Sequence, residues 1–95
     1  MNKYIPDYST RFRRNRRTLI KRGYDMSKLE TTIDLLLTGD IMPPLYSDHP
    51  LRGEYIDYRE CHVAGEGDWL LIYKKHNDRL ILVFTATGTH ADLFE

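Results

Sequence analysis

Ninety-five residues, 41% hydrophobic and 29% charged, fit one domain with a modest core and no need of a metal or disulfide staple. Cys61 is the only cysteine, which excludes an internal disulfide and makes a reducing cytoplasm the simplest compartment; the apolar runs WLLIY and LILVF are too short to span a bilayer, and MNKYIPDYST lacks a signal peptide's apolar stretch. The formal charge of zero hides a net +6 in residues 1–30, where nine Lys or Arg face Asp7, Asp25 and Glu30. That basic element points to a polyanionic or acidic partner, against the alternative of a solvated helix face.

In chain order, KYIPDY reads as a short strand, with Pro6 suited to a sheet edge or a strand end. Ser9 can cap a helix running to about Arg22, with Gly23 as its left-handed stop. Phe12, Leu19, Ile20 and the stem of Arg16 are expected on its inward face, with Arg14, Arg17 and Lys21 forming a basic outer stripe. A second helix starts near Asp25 or Ser27, where SKLE reads as a capping box. It turns Leu29, Ile33, Leu36 and Leu37 inward and ends at Gly39. The short link between the two helices predicts an antiparallel helical hairpin.

After the loop MPPLYSDHPLRG the apolar period changes to two. EYIDYRECHV, DWLLIYKK and RLILVFTAT are expected strands joined by AGEG and HND. Alternation places Tyr58, Glu60 and His62 on one face of the first of these strands, and Arg59, Cys61 and Val63 on the other. The predicted fold is therefore α+β, an N-terminal helical hairpin packed on a small, mostly antiparallel sheet, with residues 1–95 as a single domain.

The chain holds four histidines. Taken singly, His49 reads as a turn residue, His62 as an exposed strand residue, His90 as a tail residue and His76 as a hairpin tip. Cys61 faces away from His62, so it reads as a buried apolar thiol rather than half of a Cys–His dyad. The tail TGTHADLFE is either loose, with an idle imidazole, or docked. Leu93 and Phe94 can supply roughly 1.5–3 kcal/mol each if fully buried, enough to hold so short a tail and fix His90 in place.

Taken together, YSDHPLRGEYIDYRECHV, DWLLIYKK and TGTHADLF closely resemble the YafQ branch of the RelE/ParE superfamily of type II toxin–antitoxin toxins. YSTRFRRNRRTLIKRGYDMSKLETTIDLL fits that family's helical hairpin, so the likeness covers nearly the whole chain. The resemblance implies a RelE-like fold and a cytoplasmic, ribosome-dependent endoribonuclease. Such an enzyme cleaves mRNA in the ribosomal A site to a 2′,3′-cyclic phosphate and a 5′-hydroxyl without a metal or other cofactor. It also implies a cognate antitoxin in a heteromeric complex, ribosome and mRNA as further partners, and no membrane association. It places His49, His62, Asp68 and His90 in the catalytic group. His49 is the favoured base and His90 the favoured acid, with the reverse assignment open.

The same likeness gives Arg59, Glu60 and Phe94 supporting or substrate-contacting places. Arg14, Arg17 and Lys21 are the expected ribosome or antitoxin contacts. Two features depart from the family pattern. Glu60 replaces an aspartate in YR-(D/E)-x-H, and the connection between His62 and Asp68 is longer and richer in glycine. Two further classes stay open: a catalytically degenerate toxin-fold protein acting as an antitoxin-binding co-repressor, and a metal hydrolase using three histidines and an aspartate.

Overall fold

The two apolar runs near the C-terminus form the centre of a five-stranded sheet. The computed structural model describes residues 2–65 and 67–94; Glu66 of the AGEG connection and Glu95 lie outside them. β4 (Leu70–His76) and β5 (Ile81–Gly88) pair antiparallel, β3 (Arg59–His62) lies antiparallel on the far side of β4, and the short β2 (His49–Pro50) pairs with β3. β1 (Ile5–Tyr8) runs parallel to β5, giving the order β1-β5-β4-β3-β2. Pro6 thus stands on an edge strand, where a missing N–H can be tolerated. Among the described residues no helix is long and apolar enough to cross a membrane.

α1 (Thr10–Lys21) begins at Ser9, whose Oγ accepts from the Phe12 N–H at 3.0 Å and donates to the Thr85 carbonyl at 2.7 Å. One hydroxyl therefore starts the helix and ties it to β5. The helix stops where Gly23 adopts φ +84°, letting the Gly23 and Tyr24 amides reach back to the carbonyls of Ile20 and Leu19. α2 (Met26–Thr38) is capped by Asp25, whose carboxylate accepts from the Ser27 amide at 2.9 Å and the Ser27 hydroxyl at 2.6 Å. The expected SKLE capping box is thereby corrected, because Asp25 reaches Ser27 first and draws it inside the helix. Ile20 is a second correction, being 46% exposed. Phe12 and Leu19 are seven residues apart and share one line of the helix, whereas Ile20 lies about 100° further round. Asn15 faces the sheet instead, its Oδ1 accepting from the Thr87 amide at 3.1 Å.

Both helices cover one face of the sheet. Phe12, Leu19, Leu29, Ile33, Leu36 and Leu37 pack with Cys61, Leu71, Tyr73, Leu82 and Phe84 in one cluster. The opposite face holds a smaller cluster of Leu70, Ile72 and Ala86, covered by Leu93 and flanked by Leu51 and Tyr58. Strict alternation would place Leu82, Phe84 and Ala86 on the same face. A bulge separates them: Ile72 opposes Ala86 and Tyr73 opposes Phe84, leaving Thr85 as the extra residue. The bulge also turns Thr87 inward, where it accepts from the Trp69 indole at 2.9 Å and donates to the Leu70 carbonyl at 2.8 Å.

The expected strand over residues 54–63 starts only at Arg59. Gly53–Tyr55 is a 3₁₀ turn, and the Tyr58 amide closes back on the Tyr55 carbonyl at 2.9 Å, so these residues curl away from β4. The docked tail is present: α3 (His90–Phe94) follows β5 directly and buries Leu93.

Candidate active site

The sheet register decides which residues meet. His49 opposes Glu60, which opposes Ile72, which opposes Ala86; in the next row His62 opposes Leu70, which opposes Gly88. Opposed residues share a face, and diagonal neighbours on it lie about 7–8 Å apart. His49, Glu60 and His62 therefore gather on the face away from the helical hairpin, over the small cluster that Leu93 completes. His90 joins them because it follows Gly88 by two residues.

Each imidazole is held through Nδ1. His49 Nδ1 donates to the Ser47 carbonyl at 2.5 Å, and its Nε2 stands 3.8 Å from the buried carboxylate of Glu60. His62 Nδ1 donates to the Gly67 carbonyl at 2.9 Å, so the glycine-rich connection serves to orient this ring. His90 Nδ1 donates instead to a carboxylate, Asp68 Oδ1, at 2.5 Å, and the His90 amide points at the same oxygen at 3.3 Å. Because a carbonyl or carboxylate oxygen can only accept, all three rings leave Nε2 as the nitrogen able to exchange a proton, that of His49 beside Glu60.

The electrostatics follow the partners. The Asp68 hydrogen bond holds the His90 imidazolium above the usual imidazole range, and the nearby Glu60 charge adds to the effect. In return, the His90 hydrogen bond holds the Asp68 carboxyl below the usual carboxylate range, assisted by charge on His62. His62, Glu60, Asp68 and His90 are thus close enough to influence one another.

Arg59 lies apart from this group. Its guanidinium points to the helix-covered face, 3.3 Å from Asp48 Oδ2, and the Tyr73 hydroxyl donates to the other Asp48 oxygen at 2.5 Å. Asp48 directly precedes His49, so Arg59 and Tyr73 anchor the backbone that presents that histidine. Arg59 is thus the salt-bridging strand residue that alternation points away from His62.

Phe94 is 42% exposed; its ring centroid lies 6.0 Å from that of Tyr55, edge-on, and 6.0 Å from that of His90. Tyr55 in turn meets Tyr58 at 6.2 Å, and the Lys74 ammonium stands 5.5 Å from the centre of the Tyr58 ring. These aromatic rings and one cation rim the face, a combination suited to stacking bases and attracting phosphate. The sequence reading placed Tyr58 on this face with Glu60 and His62 but missed Tyr55 and Lys74. The aromatic spacing in EYIDY was a usable signal, hidden by its assignment to a strand. Arg14, Arg17 and Lys21 are exposed on α1, away from the helix's buried line.

The tail carries a capping pair that the sequence reading also missed. Thr89 Oγ1 accepts from the Asp92 amide at 3.2 Å, and the Asp92 carboxylate accepts from the Thr89 amide at 2.9 Å. This is a reciprocal cap with aspartate in place of the usual Glu or Gln. Gly88 makes room for it, since a Cβ there would come within 3.0 Å of both Asp92 Cβ and Oδ2.

A family model described as "Bacterial toxin of type II toxin-antitoxin system, YafQ" matches residues 4–95. The chain is 44% identical over 89 residues to the mRNA interferase toxin YafQ of Escherichia coli strain K12, a match covering 93% of this chain and 92% of that protein. A chain of the E. coli DinJ–YafQ toxin–antitoxin complex superposes with a TM-score of 0.86 at 39% identity, covering 98% of this chain and 99% of that one. A metal-bound toxin from Helicobacter pylori gives a TM-score of 0.85 at 33% identity, covering 99% of this chain and 100% of that one. With the family's motifs gathered on one sheet face and the match running through nearly the whole chain, this protein belongs to the YafQ family of bacterial toxins of type II toxin–antitoxin systems.

Proposed function

We propose that this chain is an mRNA interferase toxin, an endoribonuclease that cuts mRNA in the ribosomal A site in the cytoplasm and is neutralised by a cognate antitoxin. The observation that carries the chemistry is the unequal support of two histidines. His49 rests its Nδ1 on a neutral carbonyl, with Glu60 3.8 Å from Nε2, and His90 rests its Nδ1 directly on a carboxylate.

With Nδ1–H donated to Ser47, neutral His49 keeps its lone pair on Nε2 and serves as base. It takes the proton of a ribose 2′-OH as that oxygen bonds to the adjacent phosphorus. His90, whose charged form the Asp68 hydrogen bond favours, gives its Nε2 proton to the departing 5′ oxygen as the P–O5′ bond breaks. The products are a 2′,3′-cyclic phosphate and a 5′-hydroxyl. Each proton transfer is worth on the order of 10²–10⁴-fold in rate. As an imidazolium, His62 donates its one uncommitted N–H, at Nε2, to a phosphate oxygen as charge grows there, and Phe94 offers a ring face to a base.

The scheme draws on no metal. Among the described residues no three His, Cys, Asp or Glu side chains are grouped to hold one; cleavage is expected to survive a strong chelator, and its loss on chelation would favour the metal-hydrolase reading. The antitoxin partner is inferred from the E. coli relative, whose structure is a DinJ–YafQ complex.

The decisive experiment uses ribosomes programmed with a defined mRNA and maps the cut and its end chemistry. The wild type is expected to cut in the A-site codon and leave the two ends named above, while His49→Ala is inert. Uncut mRNA with the wild-type protein would favour the degenerate, co-repressor reading. Wild-type rates from His49→Ala would remove His49 as the base.

A further inference from the structure

α3 is five residues long, too short to hold its shape by its own hydrogen bonds. Leu93 docks it on the sheet and the half-exposed Phe94 adds only an edge contact to Tyr55, so apolar packing alone fixes the roll of the helix weakly. Residues two apart on a helix project on nearly opposite sides, about 200° apart. His90 and Asp92 are such a pair. Asp68 grips His90 on one side, and on the other the Arg22 guanidinium meets Asp92 Oδ2 at 2.9 Å. That same oxygen accepts the Thr89 amide, the residue just before His90. Arg22 is itself braced against the Tyr24 ring, its guanidinium 5.1 Å from the ring centre.

We infer that Arg22 and Asp92 form a clasp across the end of the sheet that fixes the roll of α3 and so positions His90 for its proton transfer. This assignment rests on the proposed cleavage reaction. Arg22 and Asp92 are positioning residues: Asp92 carries the helix cap, and Arg22 locks that cap to the end of α1. An exposed ion pair adds little to global stability. Its effect belongs instead in the placement of one imidazole, where small displacements weigh heavily on rate.

The test compares Arg22→Gln, Arg22→Lys and Asp92→Asn in the full chain. Two quantities are read: hydrogen exchange at the Thr89, Asp92 and Leu93 amides, and kcat and KM on programmed ribosomes. Arg22→Gln and Asp92→Asn alter the charge in opposite directions, so a general electrostatic effect on ribosome binding would move KM in opposite senses. The clasp predicts the same result from both: severalfold faster exchange at those three amides, unchanged exchange inside β4 and β5, and kcat lowered by about tenfold at nearly constant KM. Arg22→Lys restores part of kcat. Wild-type exchange at the three amides in both variants overturns the clasp, whatever the ribosomes report. Faster exchange with unchanged kcat overturns its positioning role. Faster exchange in a protein whose parent cleaves nothing overturns the cleavage reading and leaves the tie between α1 and α3 standing.

Discussion

His49 and His90 differ in what holds Nδ1, a carbonyl at His49 and a carboxylate at His90. If His90 is the acid, cleavage falls as pH rises through its titration. That falling limb is expected above the ordinary imidazole value of 6.5, because the Asp68 hydrogen bond raises it. Asp68→Asn should draw the limb back to lower pH and leave the rising limb in place, as read from single-turnover rates across pH; an unmoved limb would take the acid role from His90. The pair's hold on the tail obeys the same linkage. The His90 contribution is full below 6.5 and lost as pH climbs through the raised value. The Asp68 contribution is full above 3.8 and lost as pH falls through the depressed value. The tail is therefore held best between those limits. Cys61, fully buried and with its thiol pushed up by burial, should not react with a water-soluble maleimide until denaturant opens the sheet, a point mass spectrometry would settle. At this scale the sequence was legible where chemistry is local. His49, His62, Asp68 and His90 stand in short motifs. The Thr89–Asp92 cap has a local spacing of three, but the tie of Asp92 to Arg22, 70 residues away, has none.

Among the elements, α3 shows best how burial becomes activity. Truncating a buried leucine costs about 2–5 kcal/mol against a usual stability of about 5–15 kcal/mol, so loss of Leu93 should leave a folded protein. Deleting residues 91–95 is expected to lower Tm and preserve circular dichroism and antitoxin binding. Cleavage should fall nearly as far as in His90→Ala; a truncated protein that cleaves like the full chain would end the docked-tail account. Phe94→Leu keeps apolar bulk and loses the flat ring. Since Phe94 is 42% exposed it anchors little, and a fall close to that of the deletion is expected, marking base stacking. The helices were legible because Ser9, Gly23 and Gly39 mark their limits and the apolar spacing repeats. β2 was not, being only two residues whose pairing depends on β3. The Thr85 bulge was hidden as well, since an apolar run reads the same with or without one unpaired residue.

For the whole molecule, charge separation matters more than the net value of zero. The exposed Arg14, Arg17 and Lys21 stripe should attract rRNA phosphate, and reversing all three charges should weaken ribosome association more than antitoxin association. The deficit should shrink at high salt as screening takes over. Equal affinities before and after reversal, measured by sedimentation for ribosomes and calorimetry for antitoxin, would leave the stripe merely solvated. The α+β class was legible from the change of period after residue 50, but the order of strands was not, because nothing in residues 5–8 encodes a match to residues 81–84. That parallel pairing has a consequence for how the protein comes into being. β1 has no neighbour in the sheet except β5, and Ser9 fastens α1 to the Phe84 and Thr85 carbonyls of the same strand. β1 and α1 thus meet their sheet partner only when almost the last strand has been made, and such distant pairing folds slowly. Chains abandoned part-way through translation lack both this seat and His90, so on the proposed reading a stalled or prematurely ended message would yield no partly active nuclease inside the cell that made it.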